Sequence, residues 1–160
     1  MNYVYHISQC YKNISKNLIK TPLQYSKRLS DIYNSNIYFK REDLQITRSF
    51  KIRGATNKIM SVPKESLANG VVCASAGNHA QGFAHICKTL NIHGDVFLPE
   101  TTPLQKINRI NYFGGNFINI HHSGKNFNEA LNASLDFSNI NNKTFIHPFD
   151  DLDVIDGQAT

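Results

Sequence analysis

Short β-rich runs alternate with longer amphipathic stretches from about Ile37 onward, and this alternation restricts the possible folds more than any other feature. Such alternation is typical of α/β proteins, in which helices cover a parallel sheet. Residues 71–74 are almost continuously apolar, as a strand covered on both faces should be. We therefore predict a three-layer α/β fold with a parallel sheet. The predicted strands are residues 37–40, 71–74, 95–98, 116–120 and 144–146, and the predicted helices are residues 50–61, 79–90, 103–113 and 127–137.

The first 36 residues show a different pattern. They predict an amphipathic helix over about residues 7–18, a break at Thr21-Pro22 and a second helical stretch through Tyr33. We expect this segment to be an arm that belongs to another layer. Further along the chain, Asn126 is a candidate N-cap and Gly114-Gly115 a candidate helix end, which supports the bounds of the later helices.

The formal net charge of +5 invites a nucleic-acid interpretation, but the basic residues are scattered and never form a run longer than two. We therefore expect no nucleic-acid partner. No apolar run approaches the roughly 20 residues that a membrane helix needs, and the first ten residues lack the pattern of a secretion signal. The sequence predicts a cytoplasmic protein without a membrane span.

Cys10, Cys73 and Cys87 are odd in number, widely spaced and set in apolar surroundings, which predicts reduced and mostly buried thiols. His121-His122 and the pair Cys73 and Cys87 lack the spacing of a compact metal site, so we predict no metal. An acidic cluster near the end of the chain is interpreted as a solvated loop that caps a helix. Its members are Asp150, Asp151, Asp153 and Asp156.

Lys51 lies at a predicted helix start between an aromatic and an aliphatic residue. Most lysines on helices are solvated surface groups. A partly buried amine beside a cation such as Arg53 is, however, a candidate nucleophile for carbonyl carbons, because both influences favour its neutral form. Position alone favours the surface interpretation.

Residues 75–82 follow the apolar run 71–74 and precede a predicted helix. Ligands of α/β proteins bind at the carboxyl ends of strands, and a helix start offers unpaired amide donors to an anion. Gly77 lets the backbone approach a ligand closely. The alternative is a plain helix start, with Ser75 or Asn78 as the N-cap and His79 as a solvated first-turn residue.

Together, these segments resemble the fold-type II pyridoxal-phosphate (PLP) enzymes, whose fold is like that of the tryptophan synthase β-subunit, and most of all the biosynthetic threonine dehydratases. The matching segments are residues 38–45 (YFKREDLQ), 49–55 (SFKIRGA), 75–82 (SAGNHAQG) and 147–151 (HPFDD), followed by Gly157-Gln158.

The resemblance implies roles for individual residues. Lys51 would carry the cofactor as a Schiff base and act as the catalytic base, Phe50 would pack against the pyridine ring, and Asn78 would hydrogen-bond the ring hydroxyl. The loop that holds the substrate carboxylate would comprise Ser75, Gly77, Asn78 and His79.

The resemblance also implies an activity, the deamination of L-threonine to 2-oxobutanoate and ammonia, the first step of isoleucine biosynthesis. L-serine would react likewise to give pyruvate, and the full-length protein would be a homotetramer. Alternatives are a serine dehydratase, a serine racemase, a sulfhydrylase or a non-catalytic fragment. Ala76 disfavours racemisation, because racemases that resemble this loop carry a serine there.

Family members continue beyond the point that corresponds to Thr160. We therefore expect the chain to be an N-terminal fragment that is inactive alone, with the glycine-rich phosphate loop and the regulatory domain lying downstream. By the same resemblance, residues 1–41 would be an arm of the large PLP domain, residues 42–147 the small α/β domain, and residues 148–160 the start of the return into the large domain. Part of the apolar surface before about Glu42 should then be exposed in this piece.

Overall fold

The computed structural model describes residues 3–160, so the first two residues of the predicted arm lie outside the described part. The chain begins with helix α1 (Tyr3–Ile14), a 3₁₀ turn at Ser15–Asn17, strand β1 (Leu23–Tyr25), helix α2 (Lys27–Tyr33) and strand β2 (Tyr38–Lys40). A second 3₁₀ turn at Glu42–Leu44 precedes the rest. The remaining elements are α3 (Lys51–Ser61), α4 (Lys64–Leu67), β3 (Val71–Ala74), α5 (Asn78–Leu90), β4 (Gly94–Leu98), α6 (Leu104–Gly114), a 3₁₀ turn (Gly115–Phe117), β5 (Ile118–His122), α7 (Phe127–Ile140), β6 (Thr144–Phe145) and α8 (Leu152–Ala159).

Four strands form a parallel sheet in the order β5-β4-β3-β6. The chain builds outward from β3 through β4 to β5, and α7 then carries it back to β6 on the other side of β3. The strand order therefore reverses between β3 and β6. In open α/β sheets, ligands bind at the carboxyl ends of the strands where this reversal occurs.

The predicted α/β fold with a parallel sheet is confirmed, but the assignment of residues 37–40 to that sheet is wrong. Strand β2 pairs antiparallel with β1 in a separate two-stranded sheet. Periodicity identifies a strand without identifying its partner, and the run at β1 was missed because it is short and directly follows Thr21-Pro22. Part of the apolar surface before Glu42 is exposed, as expected: Leu23, Ile32, Tyr33, Tyr38 and Phe39.

The sheet separates two apolar clusters, and the alternation of side chains along its strands explains why. Val71 and Cys73 face the larger cluster with α3, α5 and α6, whereas Val72 and Ala74 face the smaller cluster with α7. The strand is buried along its whole length. Helices on both faces of the sheet give the three layers that the sequence predicts.

The helix signals are largely confirmed. The Asn126 side chain accepts a hydrogen bond from Glu129 N at the start of α7, and Gly115, with φ of 54°, ends α6. Helix α8 was not predicted, because its acidic residues were interpreted as a loop. The capping role was correct nonetheless, since Asp151 Oδ1 accepts a hydrogen bond from Val154 N at the start of that helix.

The three cysteines are buried and unpaired, as predicted. Within residues 3–160, no helix combines the length and the apolar character needed to cross a bilayer.

Helix α3 lies against α5 with almost no space at Gly82. A Cβ at this position would lie 2.8 Å from Ile52 Cα and 3.3 Å from the carbonyl carbon of Lys51. These are backbone atoms, so a side chain cannot rotate out of the way. The contact sets how closely the first turn of α3, which carries Lys51, approaches α5.

Gly82→Ala should therefore destabilise the fold. Overpacking costs roughly 1–3 kcal/mol, and the better helix propensity of alanine returns up to about 1 kcal/mol. We expect a net loss of about 1–2 kcal/mol in the free energy of unfolding, measured by urea denaturation. Gln81→Ala, one residue away and partly exposed, is the control and should change stability by less than about 0.5 kcal/mol. Equal stability of Gly82→Ala and the wild type would show that the helices separate freely.

Candidate functional site

A cavity of about 470 Å³ lies at the carboxyl ends of β3 and β6, where the strand order reverses. Three parts of the chain line it: the start of α3, the loop and first turn after β3, and the segment after β6. Phe127, at the start of α7, completes the wall. The lining residues are Ser49, Phe50, Lys51, Ser75, Asn78, His79, Phe127, Pro148 and Phe149.

Lys51 is the first residue of α3, and its side chain extends into this cavity. Its Nζ donates a hydrogen bond of 2.9 Å to the carbonyl oxygen of Pro148 and lies 5.6 Å from the centroid of the Phe50 ring. No carboxylate among residues 3–160 forms an ion pair with Lys51. The amine is therefore held at the cavity wall by a neutral acceptor.

The turn that presents Pro148 is organised by His147. Its Nδ1 accepts hydrogen bonds from the backbone N–H groups of Phe149, at 3.2 Å, and Asp150, at 2.7 Å. The sequence assigns no role to the HPFDD segment (residues 147–151) beyond its resemblance to the family. In the structure it places the acceptor for Lys51.

The loop between β3 and α5 faces the same cavity. Gly77 is the N-cap of α5, and no side chain caps the helix, so the alternative of a Ser75 or Asn78 cap is wrong. Ser75 Oγ instead accepts a hydrogen bond from Gly77 N. A Cβ added to Gly77 would meet no atom within 4 Å, so open space adjoins the helix start. This leaves the first amide groups of α5 accessible to an anion.

His79 is buried rather than solvated, contrary to the plain helix-start interpretation. It is 3% exposed, and its ring approaches the backbone of Ile146 without forming a hydrogen bond of good geometry to any of residues 3–160. Burial first, and then the positive charge of Lys51, lower the pKa of His79 to about 3. A neutral imidazole with unused hydrogen-bonding capacity therefore lies beside Lys51 and Asn78 in the cavity wall. Unpaired buried polar groups are rare, and this one is consistent with a ligand site.

The state of His79 predicts an acid-dependent loss of stability. The unfolded chain binds a proton at this histidine near pH 6.5, whereas the folded protein does so only near pH 3. The unfolded state therefore gains protons first, and stability falls as the pH drops below 6.5. Between pH 6.5 and 5, the wild type should lose about 2 kcal/mol more than His79→Gln.

Urea denaturation across this pH range measures the difference. His85 also has a pKa lowered by burial, and it is present in both proteins, so its contribution cancels. Parallel pH profiles for the wild type and His79→Gln would contradict a neutral, buried His79.

Arg53 does not act on Lys51 as the sequence suggested. Arg53 is a buried residue, with 3% of its surface exposed. Its guanidinium donates hydrogen bonds to both carboxylate oxygens of Glu42, at 2.8 and 2.7 Å. Thr21 Oγ1 donates to the same carboxylate. Burial opposes ionisation of Glu42, but the hydrogen bonds from Arg53 and Thr21 outweigh it and lower its pKa. The positive charge of Arg53 is thus neutralised, and the pair anchors the first turn of α3 to the segment before it.

Pyridoxal phosphate is the group that the sequence resemblance implies, and the cavity residues fit it. Lys51 supplies an amine that can bond the cofactor's aldehyde, and Phe50 supplies an apolar face for its aromatic ring. The ring nitrogens of His79 supply polar atoms in the same wall. Gly114-Gly115 is a helix end, as predicted, and lies outside the residues that line the cavity.

Four residues of this wall were not assigned to the site from the sequence: Ser49, Phe127, Pro148 and Phe149. Phe127 and Pro148 reach the cavity only because α7 returns the chain to β6 beside β3, and no local pattern shows that strand order. Of the predicted carboxylate loop, Ser75, Asn78 and His79 line the cavity. Gly77 lies in the same turn without lining it, and Ala76 packs partly buried against the larger apolar cluster.

A cavity at the strand-order reversal of a parallel sheet, with a lysine amine opposite a helix start, defines a ligand-binding α/β protein. The model of the family described as "Pyridoxal-phosphate dependent enzyme" matches residues 14–160. The chain belongs to this family, and the predicted membership is confirmed.

Among characterised relatives, the biosynthetic L-threonine dehydratase of Bacillus subtilis is 50% identical over 157 residues, which is 98% of this chain and 37% of that protein. The enzyme of the same name from Mycobacterium tuberculosis is 48% identical over 96% of this chain and 36% of its own length. The chain therefore spans about a third of these relatives. Both relatives are named as biosynthetic enzymes, the branch that the sequence resembles most.

Solved structures agree on the fold. The processed form of threonine deaminase isoform 2 from Solanum lycopersicum superposes with a TM-score of 0.90 at 38% identity, covering 99% of this chain and 43% of that one. A serine racemase from Dictyostelium discoideum gives 0.87 at 33% identity, covering 96% and 49%. The backbone alone does not separate deaminase from racemase.

Proposed function

We propose that the protein deaminates L-threonine to 2-oxobutanoate and ammonia, and L-serine to pyruvate, with pyridoxal phosphate held covalently through Lys51. The observation that carries the proposal is the placement of the Lys51 amine and Asn78 in the wall of one cavity. Sequence identity of 50% to a threonine dehydratase supports the choice of substrate.

Each residue has a task that follows from its position. Bound pyridoxal phosphate supplies an electron sink for the carbon next to the substrate nitrogen. Lys51 Nζ would hold the cofactor through its aldehyde carbon and, as a free amine, would accept the α-proton of the substrate. When Lys51 Nζ moves away from the Pro148 carbonyl, it loses a single hydrogen bond to a neutral acceptor. The β-hydroxyl would leave as water, and hydrolysis of the released enamine would give the oxo acid and ammonia.

The start of α5 would bind the substrate carboxylate through the loop of Ser75, Gly77, Asn78 and His79, using backbone N–H groups and the positive end of the helix dipole. The Asn78 side chain would donate to the ring hydroxyl of the cofactor, and Phe50 would cover one ring face. His79 is neutral, so it adds no charge that would compete with Lys51 for the carboxylate.

We further propose that residues 42–147 form the small domain, and that residues 1–41 and 148–160 belong to a larger one. The contact of α1 with α8 supports grouping the two ends of the chain together. A cytoplasmic location is consistent with three unpaired cysteines. Assembly as a homotetramer is proposed from the family resemblance alone.

The test is an assay of the complete protein that carries these residues, supplied with pyridoxal phosphate and L-threonine. We expect 2-oxobutanoate as the main product, slower pyruvate formation from L-serine, and no D-serine. The 160-residue chain alone should give no turnover, since it corresponds to about a third of its relatives.

Ala76 separates deamination from racemisation. A racemase needs a second acid/base on the opposite face of the cofactor, and alanine offers no such group. D-serine formed faster than either oxo acid would overturn the proposal in favour of a racemase, and absence of all three products would favour a non-catalytic role.

A further inference from the structure

A second cluster of reactive side chains lies away from the cavity, where α1 meets α8. His6 and Cys10 are four residues apart on α1 and therefore share one face of that helix. Asp156 of α8 faces them, although it is 150 residues from His6 in sequence. One donor atom from each side chain, imidazole nitrogen, thiol sulfur and carboxylate oxygen, lies within 4.8 Å of the other two.

We propose that His6, Cys10 and Asp156 bind a single zinc ion that fastens α1 to α8. Zinc takes sulfur, nitrogen and oxygen ligands together, whereas magnesium and calcium select oxygen alone. Tetrahedral zinc with bonds of about 2.0–2.3 Å sets its ligand atoms roughly 3.5 Å apart. The three atoms lie within 4.8 Å of one another, so rotation of the side chains would bring them to that spacing, with water at the fourth position.

The charges of the cluster suit a divalent cation. His6 Nε2 lies 2.7 Å from Asp156 Oδ2, and the Cys10 thiol, 7% exposed, lies beside both. Zinc would bind Cys10 as the thiolate, with the thiol proton released to solvent, and would bind His6 through Nε2. One thiolate and one carboxylate then balance the two positive charges.

The neighbouring groups leave these three ligands available. Asp153 also lies close, but its carboxylate pairs with Lys58 at 3.0 Å, and Lys58 pairs with Asp151 at 2.8 Å. Cys73 and Cys87 lie in the apolar core and are not part of the cluster. The prediction of no metal weighed residues close in sequence, and this cluster joins the two ends of the chain.

The site would be structural. Helix α8 packs along α3, which carries Lys51, and α1 packs on both. Zinc that binds the folded protein but not the unfolded chain raises the stability of the folded protein by mass action. The inference does not depend on the proposed function, because neither the cofactor nor the substrate takes part in the test.

The experiment adds Zn²⁺ or Co²⁺ to purified protein that has been stripped with a chelator. We expect one Zn²⁺ per chain with a Kd tighter than about 10 µM by calorimetry, release of protons on binding, and a thiolate-to-cobalt absorption band with Co²⁺. Cys10→Ser should abolish the band, and Asp156→Asn should weaken binding at least about tenfold. Cys87→Ser is the matched control and should bind normally.

Thermal unfolding in chelator shows whether each variant folds, since metal-free wild type and Cys10→Ser should then melt together. A Kd weaker than about 10 µM, or a thiolate band that survives in Cys10→Ser, would overturn the proposal. If Cys10→Ser does not fold, Asp156→Asn decides alone: unchanged affinity overturns the site.

Discussion

Lys51→Ala should lower threonine turnover by at least roughly 10³-fold, because it removes both the covalent anchor of the cofactor and the group that accepts the α-proton. The amine lies inside the cavity and has no carboxylate partner among residues 3–160, so no structural ion pair is lost with it. Stability should change little. Turnover by the complete protein and urea denaturation measure the two effects separately.

Lys58→Ala is the matched control for this experiment. Lys58 lies on the same helix but pairs with Asp151 and Asp153 away from the cavity. We expect turnover within about threefold of the wild type. Added methylamine can replace the missing amine and should restore part of the activity of Lys51→Ala. It would restore no activity if the variant were unfolded. Equal losses of turnover in Lys51→Ala and Lys58→Ala would show that Lys51 only stabilises the helix that carries it.

Glu42→Gln should cost about 3–5 kcal/mol of stability, the largest effect that we expect outside the cavity. The substitution preserves shape but leaves the Arg53 guanidinium, 3% exposed, without a counter-charge. Removing one partner of a buried ion pair typically costs this much. Because Arg53 lies two residues after Lys51, occupancy by the cofactor should fall as well.

Asp43→Asn provides the comparison, since Asp43 pairs with Arg41 at 2.7 Å on the surface, with side chains 59% and 32% exposed. Exposed pairs contribute roughly 0–1 kcal/mol. The double variant Glu42→Gln, Arg53→Met should recover much of the loss. Similar stabilities for Glu42→Gln and Asp43→Asn, from urea denaturation, would show that the buried pair does not anchor α3.

Local patterns predicted the central elements of the fold well. The run 71–74 matches β3, and the helix predicted over 79–90 differs from α5 by one residue. These elements form the core, where apolar periodicity is strongest. Strand β5 begins two residues later than predicted, because a 3₁₀ turn at Gly115–Phe117 occupies the expected start. Edge and turn segments carry weaker patterns.

Contacts between segments distant in the sequence could not be predicted from local patterns. The partner of β2, the ion pair between Glu42 and Arg53, and the contact of Lys51 with Pro148 each depend on how distant segments meet. The placement of Lys51 and the loop of Asn78 in one cavity was expected from family resemblance. The sheet supplies the physical reason, since both adjoin the carboxyl end of β3.

The most direct test of the central claim is to identify the lysine that carries the cofactor. The complete protein is incubated with pyridoxal phosphate, reduced with borohydride to fix the cofactor on its amine, digested and mapped by mass spectrometry. We expect one stoichiometric adduct on the peptide that contains Lys51, and its loss in Lys51→Ala. An adduct on another lysine, or sub-stoichiometric labelling spread over several, would contradict the assignment of this cavity as the cofactor site.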